Sequence, residues 1–334
     1  MKRGAALSLL GLAVLVAAIA SLFVGATPLD ARQILGALVH PNAAGPVATI
    51  VWQLRLARVA VAATVGACLA LCGAMLQGML RNPLVDPYLT GVSAGAAAAI
   101  AIAILAGAAP AATPAIGFVA GLGAALLVAA LARRGGGIDG NRLILAGVSL
   151  STLFAAIVTL AVIRAQSGDY ASSIVAWLAG SMAGRGWREL AETAPYVAAG
   201  ALLSLWAVTP LNALRIGELR ARAVGVSVDR AQWVILAASS LLAASSVVLA
   251  GLVGFVGLIV PHLARRLVGS DSRVLLPACA AIGATLCMVA DAICRRIVAP
   301  AELPIGVLLA FIGVPTFLYL YLRPAVASGS GVRR

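Results

Sequence analysis

The stretch GAMLQGMLRNPLVDP, residues 73–87, decides how this part of the chain folds. Its first half continues a long apolar run, which ends at Arg81. Proline cannot continue a helix and also restricts the residue before it, so Pro83 and Pro87 force a non-helical link. A second apolar run begins at Tyr88. The stretch therefore predicts two apolar helices joined by a short polar connection.

The composition of the whole chain indicates that lipid surrounds most of it. The 334 residues are 62% hydrophobic and only 10% charged, and the mean hydropathy is +1.06. Soluble domains carry about 25% charged residues, and a soluble protein of this size could not cover its surface with so few. The net charge is +13, but the arginines lie in short segments between apolar runs. Because they form no continuous basic face, they indicate membrane topology and argue against nucleic-acid binding.

Ten apolar runs are long enough for a membrane-spanning helix, which needs about 20 residues. The predicted spans are residues 5–26, 50–80, 88–107, 114–132, 143–163, 190–209, 231–250, 251–268, 274–298 and 305–322. The first run is longer than the core of a signal peptide, about 7–15 residues, and is interpreted as a transmembrane helix. The segments between the runs are too short for a soluble domain. Residues 1–334 are therefore predicted to form a single transmembrane domain.

The distribution of charge orients these spans, and an even number of spans places both ends on one side. With both ends in the cytoplasm, sixteen of the 24 lysines and arginines lie inside and eight outside, as the positive-inside rule requires. Residues 251–257 are dense in glycine, and Pro261-His262 is expected to interrupt the same segment. The eighth span is therefore predicted to be kinked or partly re-entrant.

Several chemistries are missing from the sequence. A phosphate-binding loop of the form GxxxxGK[ST] requires a lysine, and the only lysine is Lys2. Any ATP that drives this protein must therefore bind another subunit. No HExxH motif occurs, and no nucleophile–base pair suggests a membrane enzyme. A secondary carrier usually keeps acidic residues at the bilayer midplane. Asp291 is the main candidate here, but an ion pair with Arg295, four residues later, is preferred to a proton relay.

Five further blocks accompany the stretch at 73–87. They are QLRLAR at 53–58, GVSAGA at 91–96, GFVGLIVPH at 254–262, APAELPIG at 299–306 and GVP at 313–315. In this order and spacing, the blocks resemble the FecCD/BtuC-type permease family, the type II ABC importers of ferric siderophores, haem and cobalamin. The resemblance covers nearly the whole chain. One departure is Ala57, where the family commonly has proline, and we expect it to change the helix start locally.

The resemblance implies an architecture and a set of partners. The expected fold is an all-α integral membrane protein of about ten transmembrane helices, a BtuC-like permease working as a homodimer with its pathway on the two-fold axis. Two copies of a P-loop ATPase are expected inside the cell, and a periplasmic substrate-binding protein outside. The expected location is the bacterial inner membrane, with both termini cytoplasmic. The chain itself is expected to hold no cofactor and to be no enzyme, since ATP-Mg belongs to the ATPase.

Arginines at the external mouth are candidates for docking the binding protein. Arg55 and Arg58 are three residues apart and are expected to share a helix face. An arginine at the bilayer centre costs about 2.5–3.5 kcal/mol on insertion scales, which favours the mouth. Topology or headgroup anchoring is the alternative explanation. The resemblance implies that Arg55, Arg58 and Arg295 receive acidic residues of the binding protein, with Arg296 as a further candidate.

A second candidate site lies in the segment at about 210–230. The sequence GELRARAVGV, residues 217–226, has the pattern of a short polar helix ending in glycine. From composition it is no more than a connector, but it resembles the coupling helix of ABC permeases. The hypothesis is that four residues transmit closure of the ATPase to the membrane helices: Glu218, Arg220, Arg222 and Gly225.

The link at 81–87 is either a simple tight turn or a gate. In the family, this link and the loop entering the fifth span close the cytoplasmic end of the pathway. Asn82 and Leu84 are the gate candidates by position, joined by Leu145 and Ser149. His262 is not favoured as a haem ligand, because its Pro-His context belongs to the whole family whatever the substrate.

The substrate is the least determined feature. The chain looks most similar to the haem-importing members of the family, while a ferric siderophore or cobalamin remains open as the substrate. An ion-coupled secondary carrier is the alternative class, and the scarcity of midplane acids counts against it.

Overall fold

The computed structural model describes residues 3–322, apart from 26, 41–44, 110, 135–136, 166–167 and 300. Lys2 and the basic residues after 322, which the orientation above places inside, lie outside this range. The α-helices, in chain order, are α1 Arg3–Phe23, α2 Ala31–Val39, α3 Pro46–Thr49, α4 Ala57–Leu80, α5 Val92–Leu105, α6 Thr113–Ala132, α7 Gly140–Arg164, α8 Gly168–Leu178, α9 Trp187–Leu214, α10 Glu218–Ala223, α11 Val228–Ala250, α12 Val256–Val268, α13 Ser272–Ile297 and α14 Ile305–Leu322.

A π-helix, a 3₁₀ turn and two short strands complete the described architecture. Residues Ile50–Leu56 form a π-helix that runs directly into α4. Residues Pro87–Thr90 form a 3₁₀ turn before α5. Strands β1, Arg133–Arg134, and β2, Gly137–Ile138, pair antiparallel between α6 and α7. The all-α prediction is therefore correct apart from this small hairpin.

Seven helices in the described part of the chain are long and apolar enough to cross a membrane. They are Gly4–Phe23, Pro46–Leu80, Thr113–Ala132, Gly140–Arg164, Trp187–Leu214, Val228–Ala250 and Ser272–Ile297. The other three predicted spans also contain helices, but α5 and α12 have only 14 and 13 residues. The apolar part of α14 is Ile305–Tyr319. Each of the ten predicted runs therefore contains a helix, but seven of them meet the length and hydropathy of a membrane span in the described residues.

The shortening of α12 has a local cause in the backbone. α11 ends at Ala250, and the chain stays non-helical until Val256. Gly251 has a φ of 67°, and Phe255 a φ of 68°, which is rare for a residue with a side chain. This confirms the predicted break in the glycine-dense segment. The prediction that Pro261 also interrupts it is wrong, because Pro261 lies inside α12.

Helix α4 lies at the centre of the bundle and packs against α9, α11, α12 and α13. Its crossing with α13 brings two backbones into contact. A Cβ atom on Gly66 would lie 2.0 Å from the carbonyl oxygen of Gly283, and one on Gly283 would lie 2.2 Å from that of Gly66. Only glycine on both helices permits so close an approach.

Helices α7 and α14 contrast with this buried core. Both are apolar, yet the chain covers little of either helix, and Leu145, Leu160, Ile163 and Phe311 are all exposed. Apolar faces of this extent contact lipid or another protein chain.

The bundle has two ends that differ in their charged residues. The arginine end contains the end of α1, the π-helix with Arg55, the beginning of α4 with Arg58 and the end of α13 with Arg295. The α10 end contains α10 itself, the hairpin β1–β2 and the beginnings of α7, α11 and α13. The candidate site residues therefore fall into two groups at opposite ends.

Candidate functional site

A buried carboxylate organises the arginine end. Asp291 on α13 is 1% exposed and lies between two guanidinium groups. Arg58 Nη2 on α4 lies 2.9 Å from Asp291 Oδ1, and its Nε lies 3.0 Å from the same oxygen. Arg295 Nε lies 3.1 Å from Asp291 Oδ2. The ion pair predicted from the i,i+4 spacing of Asp291 and Arg295 is confirmed, and Arg58 extends it across two helices.

Glu302, just before α14, adds a second acid to this cluster. Arg58 Nη2 lies 2.9 Å from Glu302 Oε2, and the Glu302 side chain is partly exposed. Arg58 therefore connects the buried Asp291 to the surface. An isolated buried charge is costly, and pairing with good hydrogen-bond geometry is what makes it tolerable. Each member of the cluster thus depends on the others.

Arg55 and Arg295 bind backbone carbonyl groups at the end of α1. Arg55 Nη1 donates to the carbonyl oxygen of Leu22 at 2.7 Å, and its Nη2 donates to that of Thr27. Arg295 donates to the carbonyl oxygens of Ser21 and Val24. The last carbonyls of a helix have no partner within the helix, and cationic side chains satisfy them well. Arg55 and Arg295 therefore hold the end of α1 against α4 and α13.

The three docking candidates come together, and two of them are almost fully buried. Arg55 is 5% exposed and Arg295 is 7% exposed. Arg55 and Arg58 both line one cavity, and the expectation that they share a helix face stays a prediction. Arg55 lies in the π-helix, and its guanidinium donates to carbonyl oxygens at the end of α1, which accounts for its burial.

A cavity of about 470 Å³ opens beside this cluster. Arg55, Arg58, Arg295 and Glu302 line it on one side. The beginning of α9 lines it on the other side with residues 184–189, which include Arg185 and Arg188. Neither of these two arginines was among the candidates predicted from the sequence. The cavity therefore has a strongly basic lining.

At the opposite end, the predicted coupling segment contains the expected short helix. Within and beside α10, Arg220 and Arg222 are exposed, and Gly225 has a φ of 84° that suits glycine. Leu219 is 86% exposed. This short helix thus presents apolar and cationic side chains together to the solvent.

Two contacts fix α10 to the bundle. Arg222 Nη2 lies 2.9 Å from Asp229 Oδ1 on α11. Gln232 Nε2, one turn further along α11, donates to Glu218 Oε1 at 3.4 Å. α10 is therefore an attached element rather than a free connector.

The gate candidates lie on two elements of the same end. Asn82 Oδ1 accepts from the backbone N–H of Leu84 at 2.9 Å, which stabilises the link after α4. Leu84 is exposed, as are Leu145 and Ser149, one turn apart on α7. The 3₁₀ turn Pro87–Thr90 packs against α7. The link and α7 are therefore neighbours, and their candidate residues are left uncovered by the rest of the described chain.

Gln77 was not predicted and joins the gate link to α12. Its Nε2 donates to the carbonyl oxygens of Val85 and Gly257, both at 3.1 Å, and its Oε1 accepts from Arg265 Nη1 at 2.8 Å. Pro261 has no N–H to offer the carbonyl of Gly257, four residues earlier. The Gln77 amide takes that place, which explains why α12 continues through a proline.

The described residues show no arrangement that holds a metal ion. No group of three or more His, Cys, Asp or Glu side chains among them is suitably placed. His262 Nε2 is buried without a hydrogen-bond partner in the described part of the chain. The five cysteines are free and buried.

Comparison with known proteins gives a consistent result. The sequence profile described as the FecCD transport family matches residues 13–323. The cobalamin import system permease protein BtuC of Halobacterium salinarum is 38% identical over 203 residues, covering 61% of this chain and 54% of that protein. The hemin transport system permease protein HmuU of Yersinia pestis is 36% identical over 207 residues, covering 62% of this chain and 61% of that protein. These alignments thus span little more than half of either relative.

A solved structure matches over a larger share. It is an inward-facing conformation of a protein described as a metal-chelate type ABC transporter. The TM-score is 0.83 and the identity 35%, over 94% of this chain and 98% of the other. The helical arrangement described above is therefore similar to that structure along almost its full length.

Proposed function

This chain belongs to the FecCD transport family, and we propose that it is the membrane-spanning permease of an ATP-driven importer for metal chelates. The observation that carries this proposal is the structural match at a TM-score of 0.83 over 94% of the chain. The proposed cargo is haem or another iron chelate, moved from periplasm to cytoplasm. The hemin permease relative supports haem, while the cobalamin permease relative keeps cobalamin as the alternative, beside a ferric siderophore.

The proposed assembly contains two copies of this chain in the inner membrane. In this proposal, residues 1–334 form one transmembrane domain of about ten spans, and both termini lie in the cytoplasm. The exposed apolar faces of α7 and α14 leave room for a second copy, because faces of this extent contact lipid or another protein chain. The uncovered Leu145 and Ser149 then line a pathway between the copies.

Two copies of a P-loop ATPase are proposed to bind at the α10 end, which is taken to be cytoplasmic. The absence of a second lysine means that this chain lacks the GxxxxGK[ST] loop, so the ATP-Mg site belongs to the partner. Leu219 supplies an exposed apolar contact, flanked by the cation of Arg220. Apolar anchors surrounded by charge are typical of protein interfaces.

A periplasmic binding protein is proposed to dock at the arginine end. Arg58 is the candidate for direct contact with acidic residues of that partner, because it pairs with the partly exposed Glu302 beside the cavity. Arg55 and Arg295 contribute by holding the end of α1 that borders the same cavity. Basic residues at this cavity steer an acidic surface toward it.

ATP binding and hydrolysis are proposed to open and close the two ends in turn. The link with Asn82 and Leu84 and the first turns of α7 with Leu145 and Ser149 form the proposed gate at the α10 end. Gln77 supports this assignment because it ties the link to α12, so a movement of α12 also moves the link.

Purification from native membranes tests the class of protein. The tagged chain, extracted gently, is expected to carry a stoichiometric P-loop ATPase that mass spectrometry identifies. Recovery of the chain alone, with transport driven by an ion gradient, contradicts the proposal and supports a secondary carrier. Asp291 does not fit the ion-coupling acid of such a carrier, because its carboxylate is already paired with Arg58 and Arg295.

A further inference from the structure

Three elements meet at two side chains near the beginning of α11. These side chains are Asp229 and Gln232, and the elements are α10, strand β2 and α11 itself. Gln232 is a buried amide, 3% exposed, and a buried amide is costly unless its donor and acceptor groups have partners. Both ends of this amide are used, and they bind two different elements.

The contact with β2 is the shorter one. Gln232 Oε1 accepts from the backbone N–H of Ile138 at 2.8 Å. The neighbouring Gly137 approaches so closely that a Cβ atom there would lie 2.8 Å from Asp229 Oδ1 and 3.0 Å from Gln232 Oε1. β2 is therefore seated directly on the two residues that also hold α10.

The same strand leads at once into α7. Asp139 follows β2, and its Oδ1 accepts from the backbone N–H of Arg142 at 3.0 Å, which caps the first turn of α7. This hydrogen bond also lowers the pKa of Asp139 below its usual value. Only Asp139 separates the residue bound by Gln232 from the first residue of α7.

We propose that Gln232 and Gly137 form the link through which movement of α10 reaches α7. This link rests on the proposed function and connects the docked ATPase to the gate. When α10 moves, Glu218 and Arg222 displace their partners Gln232 and Asp229. Strand β2, which contacts both partners, then moves α7. Gln232 is a positioning residue, since it contacts neither ATP nor the transported chelate. The alternative is a purely structural amide that only holds the hairpin in place.

Four variants separate these two roles. Gln232→Leu removes both hydrogen bonds at similar side-chain size. Gln232→Glu keeps an acceptor for Ile138 but sets a carboxylate against Glu218. The double variant Gln232→Glu with Glu218→Gln restores a donor and an acceptor with their positions exchanged. Gly137→Ala drives a methyl group between β2 and Asp229, and Gly123→Ala is its control, because a Cβ atom there meets nothing within 4 Å.

The readout is movement of α7, and it requires no knowledge of the substrate. Spin labels are attached through Asn141→Cys at the start of α7 and Arg273→Cys on α13, both at exposed positions, while the five native cysteines are buried. The distance between the labels is measured in the ATPase complex with and without ATP and vanadate. ATP hydrolysis and the amount of bound ATPase are measured on the same samples.

In the unsubstituted complex, nucleotide is expected to shift the label distance. Gln232→Leu, Gln232→Glu and Gly137→Ala are expected to reduce this shift by more than half, since coupling between two sites typically changes an equilibrium about 5–150-fold. ATPase binding and hydrolysis are expected to change little, because the substituted residues lie outside the proposed ATPase contact. Gly123→Ala is expected to behave like the unsubstituted chain. The double variant is expected to restore the shift. If Gln232 only held the hairpin in place, exchanging the partners would not produce this recovery.

The outcomes distinguish failure of the link from failure of the proposed function. A full shift in Gln232→Leu, with normal ATPase binding, overturns the link and leaves the proposed function standing. Loss of the shift in Gln232→Glu without recovery in the double variant also overturns it, because the exchange of partners is then irrelevant. If the unsubstituted chain binds no ATPase, the proposed function fails and the link fails with it.

Discussion

Arg58 on α4 and Asp291 on α13 form an ion pair at 2.9 Å that joins two central helices at one end of the bundle. Asp291 is also paired with Arg295 at 3.1 Å, and Arg58 with Glu302 at 2.9 Å. One buried carboxylate thus compensates two cations, and the cluster ends at the surface beside a basic cavity. Both the stability of this end and its proposed docking role depend on that pair.

Removing the charge of Asp291 is expected to destabilise the protein strongly. Asp291→Asn leaves Arg58 and Arg295 without their common carboxylate, and breaking a buried pair costs about 3–5 kcal/mol. Thermal unfolding of the purified chain in detergent should show a clearly lower Tm. Glu192→Gln is the control, because its pair with Arg188 is exposed and worth at most about 1 kcal/mol. Equal melting of the two variants would contradict the role given to Asp291.

Replacing Arg55 is expected to loosen the end of α1. Arg55→Met removes the donors that bind the carbonyls of Leu22 and Thr27, and each buried carbonyl left unpaired costs about 1–3 kcal/mol. Hydrogen exchange of backbone amides in the last turn of α1 should become faster, with the rest of the bundle unchanged. Arg32→Met, at an exposed position on α2, should change nothing. Unaltered exchange in Arg55→Met would show that the arginine does not hold α1.

A methyl group at the crossing of α4 and α13 is expected to force the two helices apart. In Gly66→Ala the new Cβ would lie 2.0 Å from the carbonyl oxygen of Gly283, and overpacking of a tight core costs about 1–3 kcal/mol or more. The yield of folded protein in detergent and its Tm should both fall. Gly123→Ala has free space and should match the unsubstituted chain. Normal stability of Gly66→Ala would mean that the helices are not in backbone contact.

Gln77 is expected to control the order of the gate link. Gln77→Leu deprives Val85, Gly257 and Arg265 of hydrogen bonds made inside the bundle. Hydrogen exchange in residues 82–91 and at the beginning of α12 should increase about tenfold or more, for a loss of about 1–3 kcal/mol. Gln53→Leu, at an exposed position, is the control. If protection of the link were the same in both variants, Gln77 would not anchor it.

The exposed side chains of α10 are expected to bind the ATPase. Leu219→Asp replaces an apolar residue that is 86% exposed, so the isolated chain should keep its Tm. Loss of an interface anchor costs about 2 kcal/mol, and the affinity for the ATPase should fall by about thirtyfold. Val39→Asp, an exposed apolar position on α2, is the control.

The charged residues of the same helix provide a second variant. Arg222→Glu removes the ion pair with Asp229 and sets two acids side by side. We expect both assembly with the ATPase and ATP-dependent uptake to fall. Retention of both in Arg222→Glu would show that α10 is not the coupling helix.

Features that depend on local sequence were predictable. The apolar runs located the seven helices of the described residues that are long and apolar enough to cross a membrane, and the short helix α10 followed from its polar pattern and its terminal glycine. The pair of Asp291 and Arg295 followed from a spacing of four residues, which places two side chains on one helix face. In each case the interacting groups are close in sequence.

Features that depend on distant contacts were not predictable. Arg55 is buried because a π-helical turn and the end of α1 meet there, and its partners lie about thirty residues away. Gln77 binds Gly257, 180 residues later, and Gln232 binds Ile138, 94 residues earlier. A single sequence contains no signal for such pairs, because register and helix packing decide them.

Reconstituted transport tests the central claim most directly. The chain and its co-purified ATPase are placed in liposomes with the binding protein and hemin on the side of the arginine end, and uptake is followed with ATP, with a catalytically blocked ATPase, or with an ion gradient alone. The account predicts uptake only with ATP and an active ATPase. Uptake by the chain alone under an ion gradient would contradict it.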